Sequence, residues 1–340
     1  MLDAALQSRR ALVGAAALGT VLATLPHAPA QAAEARRGWR RQDMNFQSQG
    51  ATLAGVLFRP ALQGPVPGIV IAGPFGSVKE QSPTQYATRL AAAGYACLVF
   101  DAHGSGQSGG APRRSESPAG RAADIAAAIG ALAADPGVDA ARMGALGICQ
   151  GASYMMFAAA ADPRVKALAC VSGQYLYREN LEGFFGGGGP TLDQRIARGR
   201  AAQARQSAGG AVEYIRVIDP TDKAVALPWL QINDWYTRWD GIGWGARTGW
   251  ENRVTAASDA EVWTVDVRTA AAALRVPTLI VHGEQSDGFV VAAQTIHDAL
   301  TVADRRLVIV PGVFHTRFYD DPEIVDGAVA ELLPWLETRI

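Results

Sequence analysis

The stretch Gly147-Ile148-Cys149-Gln150-Gly151 decides how the rest of the chain is read. It runs glycine, any residue, nucleophile, any residue, glycine, with a cysteine in the nucleophile's place. An apolar run at 142–148 leads into it, and the helix-compatible Ala152-Ser-Tyr-Met-Met-Phe-Ala-Ala-Ala160 follows. Strand, sharp turn and helix are the setting in which such a motif lifts a nucleophile clear of a sheet. The flanking glycines let backbone and helix approach closely at a strained turn. A thiol at a helix N-terminus also meets positive partial charge, which favours the thiolate. The competing reading is a core cysteine beside a tight turn, because free cysteine is among the most buried residue types.

Outward from this elbow, apolar segments alternate with helical ones. Strands are predicted at 52–58, 68–72, 95–100, 143–148, 166–171, 278–282 and 306–310, and helices at 85–93, 122–134, 291–300 and from about 325 onward. Apolar strands separated by helices at this spacing imply an α/β fold, a mostly parallel sheet covered on both faces. Between Ser172 and Arg275 the alternation stops. That stretch holds Gly186-Gly-Gly-Gly189, an arginine-rich segment at 195–205, and six of the eight tryptophans: Trp229, Trp235, Trp239, Trp244, Trp250 and Trp263. It reads as a cap at 176–271 inserted between two parts of one core, 40–175 and 272–340. Aromatic side chains suit the wall of a binding pocket, with Trp235, Tyr236 and Trp239 the expected lining. The alternative is that they glue the cap to the sheet. The glycine run reads as a mobile loop and the arginine-rich segment as a solvated face.

Composition narrows the function. A chain of 340 residues with a net charge of -1 offers no reason for a nucleic-acid or anionic-membrane partner. No His/Asp/Glu cluster has metal-ligand spacing, and no G-x-G-x-x-G with a downstream acid calls for a nucleotide cofactor, so neither metal nor cofactor is expected. Ser8-Arg9-Arg10 precedes an apolar run at 11–25, with small-residue cleavage sites at Ala28-Pro29-Ala30 and Ala30-Gln31-Ala32. Residues 1–32 read as a signal peptide of twin-arginine type, which implies a periplasmic or secreted protein. Three cysteines, Cys97, Cys149 and Cys170, are too few for a disulfide framework in a chain of this length. An unpaired thiol kept in an oxidising compartment needs a reason, and catalysis supplies one.

A nucleophile needs a base, and the base needs an orienting group. His27 leaves with the leader, while His282 and His297 sit inside a strand end and a helix and read as structural. His103, in the loop 101–110, follows a strand and can line the site. His315, in Pro311-Gly-Val-Phe-His-Thr316, follows the last strand and is the expected base. The segment His282-Gly-Glu-Gln-Ser-Asp287 supplies the acid, Asp287, with Glu284 the weaker candidate. The order is then nucleophile, acid, histidine: Cys149, Asp287, His315. The oxyanion hole is expected to use the backbone N–H of Gln150 plus that of Phe75 or Gly76; Pro74 has none to give. In this scheme a Cys149 thiolate paired with a His315 imidazolium attacks an acyl carbonyl.

At these residues the chain resembles the α/β-hydrolase superfamily, in particular its dienelactone-hydrolase-like branch with cysteine at the elbow. Closer still is a group of bacterial hydrolases and fungal polyketide transferases (thiohydrolases). That group's HPGGGVKEQ-like loop, FDxxxxGxSGG segment, GICxGG elbow and GATHxDLYD-like ending are echoed here. The echoes are Val78-Lys79-Glu80-Gln81, Phe100-Asp101 through Gly106-Gln-Ser-Gly-Gly110, Gly147 to Gly151, and Phe314-His315 through Phe318-Tyr319-Asp320. The resemblance implies an α/β-hydrolase fold, acyl hydrolysis or transfer, and a triad at Cys149, Asp287 and His315. This chain departs from the pattern with Gly73 for histidine and Phe75 for glycine. In dienelactone hydrolases a carboxylate beside the elbow cysteine helps set its charge; Glu80 is the candidate here, against a plain exposed first-turn glutamate. The expected function is an exported hydrolase of a carboxylic ester or thioester. Acyl transfer by the same triad, or non-catalytic binding of a hydrophobic ligand, are the alternatives.

Overall fold

The computed structural model describes residues 38–238, 248–286 and 289–340. The leader at 1–32, Trp239, Trp244 and Asp287 lie outside the described residues. The core strands are β1 (Trp39–Asp43), β2 (Phe46–Ser48), β3 (Ala51–Leu53), β4 (Gly55–Pro60), β5 (Val66–Ala72), β6 (Ala96–Phe100), β7 (Val138–Ile148) and β8 (Val165–Val171). A short ribbon of β9 (Tyr214–Ile215) and β10 (Val254–Thr255) follows, then β11 (Thr278–Gly283) and β12 (Arg305–Val310). Eight strands form one sheet in the order β1-β4-β6-β5-β7-β8-β11-β12. From β6 to β12 the pairings are parallel, and β4 joins antiparallel to both β6 and β1. The central strands are apolar on both faces, as parallel strands under two helical layers must be: Val70, Leu98, Val99, Ile148, Leu168 and Ile280 are fully buried. Strand β1 escapes sequence reading because four of its five residues are exposed and it carries Arg40, Arg41 and Asp43, the charged composition that protects a sheet edge from further pairing.

Helix α1 (Ser82–Ala92) and the C-terminal α11 (Pro322–Glu337) pack together on one face. Helix α2 (Pro118–Ala133) and α3 (Gln150–Ala161) pack together against β5 and β7 on the other. Pro118 at the first turn of α2 and Ser117, whose hydroxyl accepts the Gly120 N–H, start that helix in the usual way. Two sequence motifs meet at the sheet's end. Lys79, buried, ion-pairs with buried Asp101 at 2.7 Å, and the Lys79 backbone N–H donates to the other Asp101 oxygen at 2.8 Å. The pair ties the loop after β5 to the loop after β6.

Between β8 and β11 lie α4 (Arg178–Phe185), α5 (Leu192–Ser207), the β9–β10 ribbon, α6 (Leu230–Thr237), α7 (Ser258–Val262) and α8 (Arg268–Ala273), with α9 (Phe289–Ala299) and α10 (Arg317–Asp320) following later in the chain. The arginine-rich segment is not simply a solvated face. Arg195 is fully buried, donates to the Val225 carbonyl at 2.6 Å and the Pro190 carbonyl at 3.1 Å, and lies over the Phe185 ring. Alternating short and long side chains hid this, since one buried arginine among exposed ones does not alter helical periodicity. Among the described residues no helix is long and apolar enough to cross a membrane.

Candidate active site

The elbow has the geometry its glycines require. Cys149 ends β7 and caps α3 at φ 54°, ψ −126°, a left-handed conformation costly for a side chain with a Cβ. A Cβ on Gly147 would lie 2.5 Å from the Ala152 Cα, and one on Gly151 would lie 2.5 Å from the Ala72 carbonyl oxygen, so neither position accepts another residue without movement. The strained residue is held from both sides: its N–H donates to the Val171 carbonyl, and its own carbonyl accepts from the Ala152 and Gln174 N–H groups. Burial dominates the thiol's acidity and pushes its pKa up to about 11. The Tyr319 hydroxyl and the backbone N–H groups of Gln150 and Phe75, close to the sulfur, pull the other way.

The loop after β5 explains why Phe75 and not Gly76 faces the sulfur. The peptide joining them is clamped at both edges: Tyr236 donates its hydroxyl proton to the Phe75 carbonyl, and the Gly76 N–H donates to Glu116 Oε1 at 2.7 Å. Gly76 therefore has no N–H free for an oxyanion. Glu116, almost wholly buried, accepts from Arg121 and from the Tyr154 hydroxyl as well. Sequence reading missed it because an isolated glutamate in Arg114-Ser115-Glu116-Ser117 carries no pattern; its role comes from contacts far away in the chain. Glu80, the carboxylate singled out instead, pairs with Lys79 at 2.9 Å. Its pKa is raised, chiefly by burial and next by Asp101.

His315 lies fully buried in the loop after β12, stacked on Phe289 with ring centroids 4.8 Å apart. Its Nδ1 is 2.9 Å from Ser172 Oγ, and its Nε2 is 2.8 Å from the Tyr319 hydroxyl. Ser172 also donates to the His315 carbonyl at 2.9 Å. A serine has one proton, so its oxygen is left to accept from Nδ1–H, which makes Nε2 the acceptor of the Tyr319 proton. Burial and the neighbouring His282, whose ring centre is 5.8 Å away, hold the His315 pKa well below the ordinary histidine range. Tyr319 thus holds His315 on the wall of the cavity that Cys149 also lines. Neither Tyr319 nor Ser172 announces itself in sequence, although Tyr319 sits in the family-like ending. Ser172, like Cys149, has a positive φ, 47°, a local strain that places its hydroxyl under the imidazole.

Cys149, Gln150, Phe75, Tyr236, His315 and Tyr319 share the walls of one narrow cavity of about 10 Å³. Gln174, Phe184, Leu227, Ile232 and Phe289 complete them. Two expected lining residues are elsewhere. His103 borders a separate surface pocket with Gln49, Arg121 and Asp124, its ring against Gly110 and its backbone N–H donated to Asp124. Trp235 stands one layer behind the wall, edge-on to both Tyr236 and Tyr319 at 4.7 and 4.9 Å. It positions lining residues without lining the cavity itself. Trp263 similarly stacks on Phe75 at 5.7 Å.

The strand order, the strained elbow at the end of the central strand and the histidine after the last strand define an α/β hydrolase. Residues 49–316 match the family model described as X-Pro dipeptidyl-peptidase (S15 family), and the chain belongs to that family. It is 33% identical over 279 residues to the uncharacterized protein YcjY of Escherichia coli (strain K12), covering 80% of this chain and 88% of that protein. The crystal structure of hypothetical protein PA2218 from Pseudomonas aeruginosa superimposes with a TM-score of 0.76 at 26% identity, covering 89% of this chain and 94% of that one. A thiohydrolase of Eupenicillium brefeldianum is 32% identical over 132 residues, 38% of this chain and 42% of that protein.

Proposed function

We propose that this hydrolase cleaves a carboxylic ester or thioester through an acyl intermediate on Cys149. The observation that carries the proposal is the strained elbow that presents Cys149 to a cavity it shares with His315 and with Tyr319, whose hydroxyl is 2.8 Å from His315 Nε2. A thiol pushed to about 11 beside an imidazole held well below its usual range rests as a neutral pair. Attack is therefore coupled to proton transfer: the S–H proton passes to the Tyr319 oxygen as the Tyr319 proton passes to His315 Nε2. The new S–C bond turns the substrate carbonyl into an oxyanion, which the N–H groups of Gln150 and Phe75 receive. The leaving alcohol or thiol takes the proton back along the same path, leaving a thioester on Cys149. Water then repeats the sequence and releases the acid. Ser172 fixes the imidazole's tautomer, and Asp287, which follows β11 in the sequence, is assigned to compensate the imidazolium charge. The name of the thiohydrolase relative supports thioester cleavage.

The test is turnover of p-nitrophenyl esters, lactones and acyl thioesters by wild type and Cys149→Ala. The proposal expects loss of turnover in a folded variant and loss of iodoacetamide labelling; full activity without Cys149 overturns it. The aromatic and aliphatic cavity wall favours acyl transfer as the second reading, and the ratio of ester to free acid formed in the presence of acceptor alcohols separates the two. Export is proposed from Arg9-Arg10 and the apolar run behind them. Residues 1–40 fused to a reporter should direct it across the membrane, and should fail when both arginines become lysine.

A further inference from the structure

Gln174 is the polar exception in the cavity wall. Its neighbours there include Phe75, Phe184, Leu227, Ile232 and Phe289, and it is only 4% exposed. Its backbone is anchored to the elbow helix at both ends: the N–H donates to the Cys149 carbonyl at 2.9 Å, and the carbonyl accepts from Ser153 Oγ at 2.8 Å. Its side-chain amide, by contrast, has no hydrogen-bond partner among the described residues, at either Nε2 or Oε1. A second group shares this condition. Gln150 donates its Nε2 to the Tyr154 hydroxyl, whose own proton goes to Glu116, so the amide orientation is determined and Gln150 Oε1 is left without a partner among the described residues. One donor group and two acceptors are therefore buried beside the nucleophile with nothing from the described chain to satisfy them.

Buried amides without partners destabilise a fold, and a methionine or leucine would fill the same space more cheaply. We propose that Gln174, with Gln150 Oε1, reads a neutral group on the acyl half of the substrate that both donates and accepts hydrogen bonds, a hydroxyl or an amide, a few atoms from the scissile carbonyl. The apolar wall holds the rest of the acyl chain. A site built to hydrogen-bond a substrate group rejects the analogue lacking it far more strongly than an apolar pocket rejects an extra methylene. The hydrolase reading enters only through where the scissile carbonyl lies, and binding tests the inference without turnover.

The experiment measures affinity by calorimetry on the Cys149→Ala protein. The ligands are S-ethyl 3-hydroxybutanethioate against its isostere S-ethyl 3-methylbutanethioate, and S-ethyl 3-acetamidopropanethioate against S-ethyl 5-methylhexanethioate. At least one polar member is expected to bind about ten-fold or more tightly than its isostere, which identifies hydroxyl or amide as the group read. Adding Gln174→Met is expected to bring that ratio to about one while leaving the melting temperature unchanged or higher. Equal binding within both pairs overturns the inference, as does a preference that survives Gln174→Met. A melting temperature that falls in Gln174→Met, and also in Gln174→Leu, assigns the residue a structural role and overturns it too. Hydrolysis of these thioesters by Cys149→Ala refutes the nucleophile instead and leaves the affinity ratio to decide on Gln174.

Discussion

Replacing Tyr319 by phenylalanine isolates the hydroxyl that joins Cys149 to His315. The ring stays, and with it the edge-on contact to Trp235 at 4.9 Å, so the cavity wall keeps its shape. What goes is the 2.8 Å bond to His315 Nε2 and the hydroxyl's pull on the nearby thiol. The stability cost is that of a buried nitrogen left without its partner, about 1–3 kcal/mol. The catalytic cost is larger, because proton transfer loses its path. Positioned acid–base groups contribute roughly 10²–10⁴ in rate, which is about 3–5.5 kcal/mol at 1.36 kcal/mol per decade. Steady-state kcat/KM on a thioester is the primary measurement. Iodoacetamide alkylation against pH is the second: once the thiolate forms, the Tyr319 hydroxyl can turn its proton from His315 to the sulfur and lower the thiol's pKa, so its removal should shift the labelling midpoint upward and slow labelling at neutral pH. A variant whose kcat/KM stays within about threefold of wild type, in a protein that melts cooperatively, refutes the relay and requires direct contact between thiol and imidazole during the reaction.

Gly151→Ala should cost about 1–3 kcal/mol and more than that in activity, since the new Cβ meets the carbonyls of Ala72 and Gly73 at 2.5 and 2.6 Å and must displace the loop that carries the Phe75 N–H; urea unfolding with parallel assays checks both. Asp101→Asn leaves the buried Lys79 ammonium without its nearest full charge and should destabilise by about 3–5 kcal/mol in the same unfolding experiment. His282 and His315 both have pKa values lowered, first of all by burial. The unfolded chain takes up these two protons as pH falls below about 6.5 while the folded chain does not, so their contribution is fully present above that pH. It declines below it, by at most about 1.4 kcal/mol per pH unit for each imidazole. Urea midpoints that stay flat between pH 7 and 5 would contradict the burial of these rings. For Cys97, Cys149 and Cys170, burial raises the pKa, so their contribution is present below the ordinary thiol value and is lost as pH rises above about 9.

The parts of this protein that were legible in its sequence are those governed by local rules. The period of apolar residues marks strands and helices, and the predicted segments fall on β5 to β8, β11, β12 and their covering helices with ends displaced by a few residues. Gly147 and Gly151 around Cys149 reveal a turn because their reason, close backbone approach, acts over a few residues. The position of His315 after the last strand follows from the order of elements. The rest depends on contacts between distant parts of the chain. Glu116 is a loop glutamate until Gly76, Arg121 and Tyr154 close on it, and its capture of the Gly76 N–H is what leaves Phe75 to face the sulfur. His103 and Trp235 looked equivalent to true lining residues because residue type does not encode which side of a wall a ring occupies. The sequence by itself therefore determined the fold and the strained turn that carries Cys149, through periodicity and steric demand. Only the tertiary structure decided which groups gather around Cys149, because the hydrogen bonds that join Tyr319, His315 and Ser172, and the unsatisfied amide of Gln174 on the same cavity wall, exist only once segments far apart in the chain are packed together.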